Sequence, residues 1–478
     1  MAKGTILILK FKFDFCGGIN LFAIFLDFWA KKSGLKYQIC NQNKFIELFV
    51  QGDKDELDKF NNKFLPNIPH SIFLKQSNIE IVEDFPTENT IKFDEFSSNL
   101  ITPYSVNSGK NEFDFGLDTE LTNKIVESLN NGKSVVYDDF VLSKFDDFDC
   151  DFLLPKNLNL LPKIFVADEK SLIALASYEK PIISLKTSAL FRSSHENSPL
   201  FFKIRAAWDL QIYEICSKIN ANFIKVKSKK PIFSVSVLDN SFLITQGSDF
   251  LKKSDLDFLQ TSQNKNISLL NLISKELEFD NKIAVFLSQK NNDFISVFKD
   301  NDEYEMLKIT LPNTYEELFS KILTEPSGKS LLDKFSQQIN LPSGEIQLPN
   351  SFFGLFELIK NLFGFKHSVF ELSDDFLGQK GVRIDFKLQG INEFDCIKAI
   401  KSAISYFLAG ADSKIISFGL VESLAYFLSD FYDTIKNELG CENMVLFGSS
   451  FECKSLANLT LKLNKFAKFS EKYPLEIS

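Results

Sequence analysis

Histidine is the scarcest catalytic residue type in this chain. Only His70, His195 and His367 occur in 478 residues, far apart in sequence, with no HExxH or HxH spacing. Cysteine is little better placed. Cys16, Cys40, Cys150, Cys216, Cys396, Cys441 and Cys453 form no C-x-x-C pair, so neither a disulfide framework nor a structural zinc site is expected. An excess of basic residues is also missing: 54 Lys and Arg stand against 63 Asp and Glu, a net charge of −9. No counterion release can drive whole-chain nucleic-acid binding, so no nucleic-acid partner is expected. Long apolar runs are absent too. Residues 6–9 are too short for a signal core and are interrupted by Lys10 and Lys12, and residues 19–30 carry Asp27 and fall below spanning length. The expected location is cytoplasmic, with no integral membrane segment; peripheral attachment to a membrane-bound enzyme complex is left open.

What is present is a globular composition, 44% hydrophobic and 24% charged. The length suits about three domains. Phe is the outlier, with 52 against 2 Trp and 3 Met. Composition leaves it open whether this richness is genomic bias or an aromatic surface, because Phe packs well in any core.

Periodicity organises the first 90 residues. Residues 5–15 alternate as a strand, 21–32 read as a helix stopped by Gly34, and 37–40 and 45–50 read as strands. Residues 55–64 read as a helix closed by Pro66 and Pro69, and 79–85 as a last strand. The order β-α-β-β-α-β is the ferredoxin-like split motif. Residues 86–116 read as a linker or irregular segment. Beyond it come a helix over 120–129, a strand over 133–137, an acidic loop over 138–151 and a strand over 163–166. A helix over 170–177 and a strand over 181–185 follow. Lys218, Lys225, Lys227, Lys229 and Lys230 read as a solvated face. After Pro231 the spacing predicts a hairpin around Asp239-Asn240, then strands over 283–287, 293–298 and 305–310. Helices are expected over 315–323, 352–363, 395–408, 417–438 and 456–466, with a buried strand at 444–447. Strands followed by stacked helices predict an α/β layer domain.

The chemical motifs are sparse. Pro326-Ser327-Gly328-Lys329-Ser330 looks like the tail of a phosphate loop, but Leu323 stands where the first Gly belongs and no strand precedes it. Asp138-Asp139 and Asp374-Asp375 are adjacent pairs, and neighbouring side chains point apart, so solvated loops are expected. Gly448-Ser449-Ser450, between the 444–447 strand and a helix, is the best context for a nucleotide, because a small-residue loop feeding a helix N-terminus can cradle phosphate.

Taken in order, these segments resemble the HypF family, the carbamoyltransferases that help make the cyanide ligands of [NiFe] hydrogenases, or an accessory protein of that type. The chain looks like a shortened, degenerate version. The resemblance implies an α/β and α+β multidomain protein: an acylphosphatase-like ferredoxin fold over residues 1–90, a linker and reduced YrdC-like segment over 91–229, and an actin-like ATPase-fold domain over 230–478. The zinc-finger module is missing. In the first domain the loop is Phe15-Cys16-Gly17-Gly18-Ile19-Asn20, the family's catalytic Arg falls at Ala23 and its Asn at Asn41. A methyl group cannot replace a guanidinium fork on a phosphoryl group. In the last domain the nucleotide positions fall at Asn240, Ser241, Glu357, Gly448 and Ser449. Asp239 replaces a Lys, Gly354 an Arg, Glu357 an Asp and Cys453 an Asn, and the family's metal-binding His cluster has no counterpart near residues 284–288.

The implied reading is a non-catalytic accessory protein without metal or cofactor, whose partners are hydrogenase subunits or other maturation proteins. The competing readings are an active ATP-dependent carbamoyltransferase-like enzyme and an unrelated soluble cytoplasmic protein.

Overall fold

A strand rich in Phe opens the structure, a computed structural model that describes residues 6–42, 44–87, 99–195, 197–300 and 302–477. β1 (Leu7–Phe15) sets Phe11, Phe13 and Phe15 on one face and Lys10, Lys12 and Asp14 on the other. The aromatic face packs on helices: Phe13 lies edge-on to Phe22 at 5.2 Å, and Phe11 meets Phe60 at 5.8 Å. The helix Leu21–Ser33 ends at Gly34, whose φ of 76° suits a residue without Cβ. β2 (Lys36–Gln42), β3 (Phe45–Gly52) and β4 (Leu74–Val82) complete a sheet of order β2-β3-β1-β4, antiparallel throughout. That is the ferredoxin-like split arrangement expected from the order of elements.

Two details differ from expectation. β4 begins at Leu74, not at residue 79, because its first half is a polar, exposed edge that carries no apolar alternation. The second helix, Lys54–Lys59, widens into a π turn over Phe60–Phe64. The expected strand start at residue 5 and the 88–98 part of the expected linker lie outside the described residues.

A seven-stranded sheet follows, with the order β5-β6-β11-β7-β10-β9-β8. Its strands are β5 (Val135–Tyr137), β6 (Phe140–Lys144), β7 (Phe152–Pro155), β8 (Phe165–Val166), β9 (Ile183–Thr187), β10 (Phe201–Ile204) and β11 (Phe223–Ser228). The expected acidic loop over 138–151 therefore contains a strand, β6. Its acidic turn lies beside β11. Of the lysines read as a solvated face, Lys227 and Lys230 stay more than half exposed while pairing with acidic residues, and Lys225 is drawn in. Lys225 pairs with Asp146 and, at 2.7 Å, with Asp147, Lys227 pairs with Asp149 at 2.6 Å, and Lys230 pairs with Asp139 at 2.8 Å.

β12 (Ser234–Val237) and β13 (Phe242–Gln246) form the expected hairpin. The chain divides into two compact units around it. One is Met1–Val235 with Gln246–Leu256, the other Ser236–Thr245 with Asp257–Ser478. In the first unit Phe250 packs on Phe233 at 4.8 Å and on Phe73 at 6.2 Å.

The second unit is built on β14 (Lys282–Phe286), β15 (Phe294–Lys299), β16 (Asp302–Leu307), β19 (Met444–Phe447) and β20 (Ala467–Lys468), in the order β16-β15-β14-β19-β20. β17 (Leu388–Gln389) and β18 (Glu393–Phe394) form a separate ribbon. β14, β15 and β16 are antiparallel, whereas β14, β19 and β20 run parallel. The helix Phe352–Phe363 starts and ends where the sequence places it: Ser351 Oγ accepts the Gly354 N–H at 2.9 Å, and Gly364 is left-handed at φ 66°. Among the described residues one helix, Ser413–Leu439, is long and apolar enough to cross a membrane by length and composition. In this unit 67% of its most apolar window is buried, as in the core helix of a globular protein.

The phosphate-loop lookalike lies between the helices Tyr315–Thr324 and Gly328–Ser336. Gly328 is required by packing, since a Cβ there would stand 1.8 Å from the Ile322 carbonyl oxygen. Asp374 and Asp375 correct the solvated-loop expectation. Asp374 accepts the N–H groups of Ser455 at 2.8 Å and Lys454 at 3.1 Å, and the 2%-exposed Asp375 pairs with Lys414 at 2.5 Å. Both are placed by the end of one helix and the start of another, which adjacency in sequence does not reveal.

Candidate functional sites

In the first unit the loop of residues 15–20 joins β1 to the helix Leu21–Ser33. Asn41, on β2, donates through Nδ2 to Asn20 Oδ1 at 2.9 Å, so the Asn position and the loop do meet. Ala23 does not face the loop's exterior: it is fully enclosed, and its N–H bonds to Asn20 O at 3.1 Å. The loop is closed by its own unit. Cys16 N–H donates to Phe73 O at 3.0 Å, and a Cβ on Gly18 would lie 2.6 Å from Phe250 O. A carbonyl oxygen, with its negative partial charge, thus stands against the backbone that an anion would have to approach.

Elsewhere in this unit is a cluster that motif reading overlooks. Glu179 is buried, accepts hydrogen bonds from Ser71 Oγ and, at 3.2 Å, from the Ile72 N–H, and burial pushes its carboxyl up. Lys180 follows in a left-handed conformation, φ 45°, and desolvation lowers its ammonium to about 8. Its carbonyl accepts from Arg205 Nε at 2.9 Å, and the Arg205 guanidinium lies over Trp208 at 4.5 Å. A cavity of about 420 Å³ is lined by Ile101, Lys156, Ala176, Lys180, Tyr213 and Cys216 among others. Its volume suits a small ligand.

In the second unit the focus is the carboxyl ends of β14 and β19, which run parallel in register from Ile283↔Met444 to Phe286↔Phe447. In open α/β sheets this is where ligands bind. Gly448 has φ 102°, and a Cβ there would strike Leu287 O at 2.2 Å. Each N–H of the Gly448-Ser449-Ser450 loop has a partner within the chain. Gly448 donates to Leu475 O at 2.7 Å, Ser449 to Glu476 Oε2 at 3.1 Å and Ser450 to Leu287 O at 2.9 Å. Ser449 Oγ accepts the Gln289 N–H at 3.0 Å. Behind the loop the carboxylate of Asp293 accepts the N–H groups of Ser288 and Phe352, both at 2.7 Å, and burial, helped by the charge of Glu476, lifts its carboxyl well above the ordinary range.

The other family-implied positions make contacts of their own. Glu357 pairs with Lys360 at 2.7 Å on its own helix. Asn240 is exposed in the hairpin turn, and Ser241 O accepts the Leu238 N–H at 2.9 Å. Asp239 N–H donates to Asn458 Oδ1, and its carboxylate accepts Asn458 Nδ2, each at 3.2 Å. Among the described residues no three His, Cys, Asp or Glu side chains are grouped to hold a metal.

No family profile matches the chain. By sequence it is 20% identical to Protein HydE of Wolinella succinogenes over 509 aligned positions, 91% of this chain and 92% of HydE. Among solved structures, HypF from T. kodakarensis matches with a TM-score of 0.63 at 8% identity. Full-length HypF in its phosphate- and nucleotide-bound form matches with a TM-score of 0.56 at 11% identity. Each match covers 98% of this chain and 96% of the other. The chain therefore has a multidomain α/β architecture of the HypF kind, with weak sequence homology to HydE.

Proposed function

We propose that this protein is a non-catalytic accessory factor in [NiFe] hydrogenase maturation or assembly, acting in the cytoplasm through contacts with hydrogenase subunits or other maturation proteins. One observation carries the reading: a HypF-like fold extends over nearly the whole chain, while the positions that bear the family's chemistry are taken up by the chain's own structure. Ala23 is enclosed in a helix, Glu357 is held by Lys360 and Asp239 by Asn458. The domain identities belong to the same proposal. An acylphosphatase-like start is supported by the ferredoxin-like sheet, and an actin-like second unit by three antiparallel strands followed by two parallel ones.

Deletion of the gene is the test, with hydrogenase activity and processing as readouts. Activity should fall and be restored by the native gene and equally by a Glu357→Ala, Ser449→Ala double variant. Restoration by the native gene alone, together with low-micromolar binding of Mg-ATP in a calorimetric titration, would contradict the reading. The cavity beside Lys180 favours a second reading, an enzyme that retains small-anion or nucleotide binding in the first unit. Saturable binding of ATP abolished by Lys180→Met would put that reading first.

A further inference from the structure

The groups around Glu476 form a site of their own. Three donors from two loops converge on one carboxylate. Ser288 Oγ donates to Oε1 at 3.0 Å and Oε2 at 3.1 Å, Asn291 Nδ2 to Oε1 at 2.6 Å, and the Ser449 N–H to Oε2 at 3.1 Å. The serine is aimed in advance. Ser288 is fully buried, and its Oγ already accepts the N–H groups of Lys290 and Asn291, each at 3.0 Å. With both lone pairs used, its one hydroxyl hydrogen has only the carboxylate to point at. Its own backbone N–H is held from behind by Asp293.

The segment that carries Glu476 is anchored separately. Leu475, 2% exposed, donates its N–H to Ile244 O at 3.0 Å, and its carbonyl accepts the Gly448 N–H at 2.7 Å. The strap thus brings the carboxylate to the Ser288–Asn291 turn, which is fixed without it, and itself ties down the Gly448 end of the loop that supplies the third donor.

We infer that the second unit contains a carboxylate-binding site at the ends of β14 and β19, which the chain fills with Glu476 as a tethered ligand. The ligand class follows from the charges. The donors are a hydroxyl, an amide and a backbone N–H, all neutral, with no cation among them to balance a second negative charge. A monocarboxylate of the acetate or glutamate type fits; a phosphate dianion does not. The inference is independent of the accessory role proposed above, since it concerns what these loops bind and not what the protein does for a hydrogenase.

Chemical rescue tests it. Glu476→Ala should lower the Tm by about 5–10 °C, as expected for the loss of charge-assisted hydrogen bonds. Sodium acetate or formate at about 0.2 M should restore at least half of that loss relative to sodium chloride of equal ionic strength. Inorganic phosphate should restore no more than chloride, and the native chain should show no acetate-specific gain. A Glu476→Ala, Asn291→Ala variant should lose the rescue. Equal stabilisation of Glu476→Ala by acetate and chloride overturns the inference, and so does rescue that survives loss of Asn291. If Glu476→Ala does not accumulate folded, refolding yield from urea is read instead. Higher yield in acetate than in chloride supports the site, and equal yield overturns it.

Discussion

Asp209 caps the helix Leu210–Lys218 by accepting the Ile212 N–H at 2.7 Å, and it does so from a buried position. Desolvation pushes its carboxyl from the ordinary 3.8 up to about 6. The native chain keeps this proton over a range in which the unfolded chain has lost it. The stabilisation is therefore complete below about 4 and lost as pH rises through about 6. Asp209→Asn keeps the capping acceptor and removes the titration. Against that variant the native protein should lose on the order of 2–3 kcal/mol between pH 4 and 7 in urea unfolding, and a pH-independent difference would contradict the assignment. At Ala23 the expected outcome is also a loss. Ala23→Arg buries a cation in the enclosed core of the helix Leu21–Ser33 and should cost about 3–5 kcal/mol by denaturant midpoint, with no acyl-phosphate hydrolysis gained. Site residues were legible only where local spacing marks them. Gly448 and Ser449 stand out between a strand and a helix. Ser288 and Glu476 do not, because their bond spans 188 positions and neither carries a motif.

At the scale of elements, the helix Ser413–Leu439 is set by two glycines. A Cβ on Gly419 would meet Val382 O at 2.3 Å, and one on Gly381 would meet Gly419 N at 2.4 Å. Gly419→Ala raises helix propensity by about 1 kcal/mol, yet the backbone clash should make it a net loss of about 2–3 kcal/mol in a thermal melt. An unchanged or raised Tm would show that the approach relaxes at no cost. Elements with strong punctuation were readable in advance, the helix Phe352–Phe363 at both ends through Ser351 and Gly364. Elements lacking it were not. The helix Lys265–Leu277 buries Leu269, Leu270 and Ile273 on a narrow stripe within a polar stretch. β6 was hidden by the acid-rich turn after it, whose charges are neutralised by β11, a strand about 80 residues further on.

For the molecule as a whole, the question of its phenylalanines has a structural answer. The largest fully buried side chains among the described residues are Phe in every case but one, Tyr178, so Phe fills core positions in both units beside the Leu and Ile that make up most of the second unit's core. Phe250 is one such packing group, placed in the first unit by a segment that follows the hairpin. Phe250→Ala in the full chain should cost about 3–5 kcal/mol, read as an earlier urea transition of the first unit. Coincident midpoints for variant and native chains would refute its role there. The path of the chain through that segment also has a consequence for synthesis. The first unit lacks Phe250 until residues beyond Thr245 have been made, so the turn that belongs to the second unit must leave the ribosome before the first can close. At roughly 5–20 residues per second this holds the first unit open for about 1–3 s after Val235 is added, with Phe73 and Phe233 lacking their cover on the nascent chain.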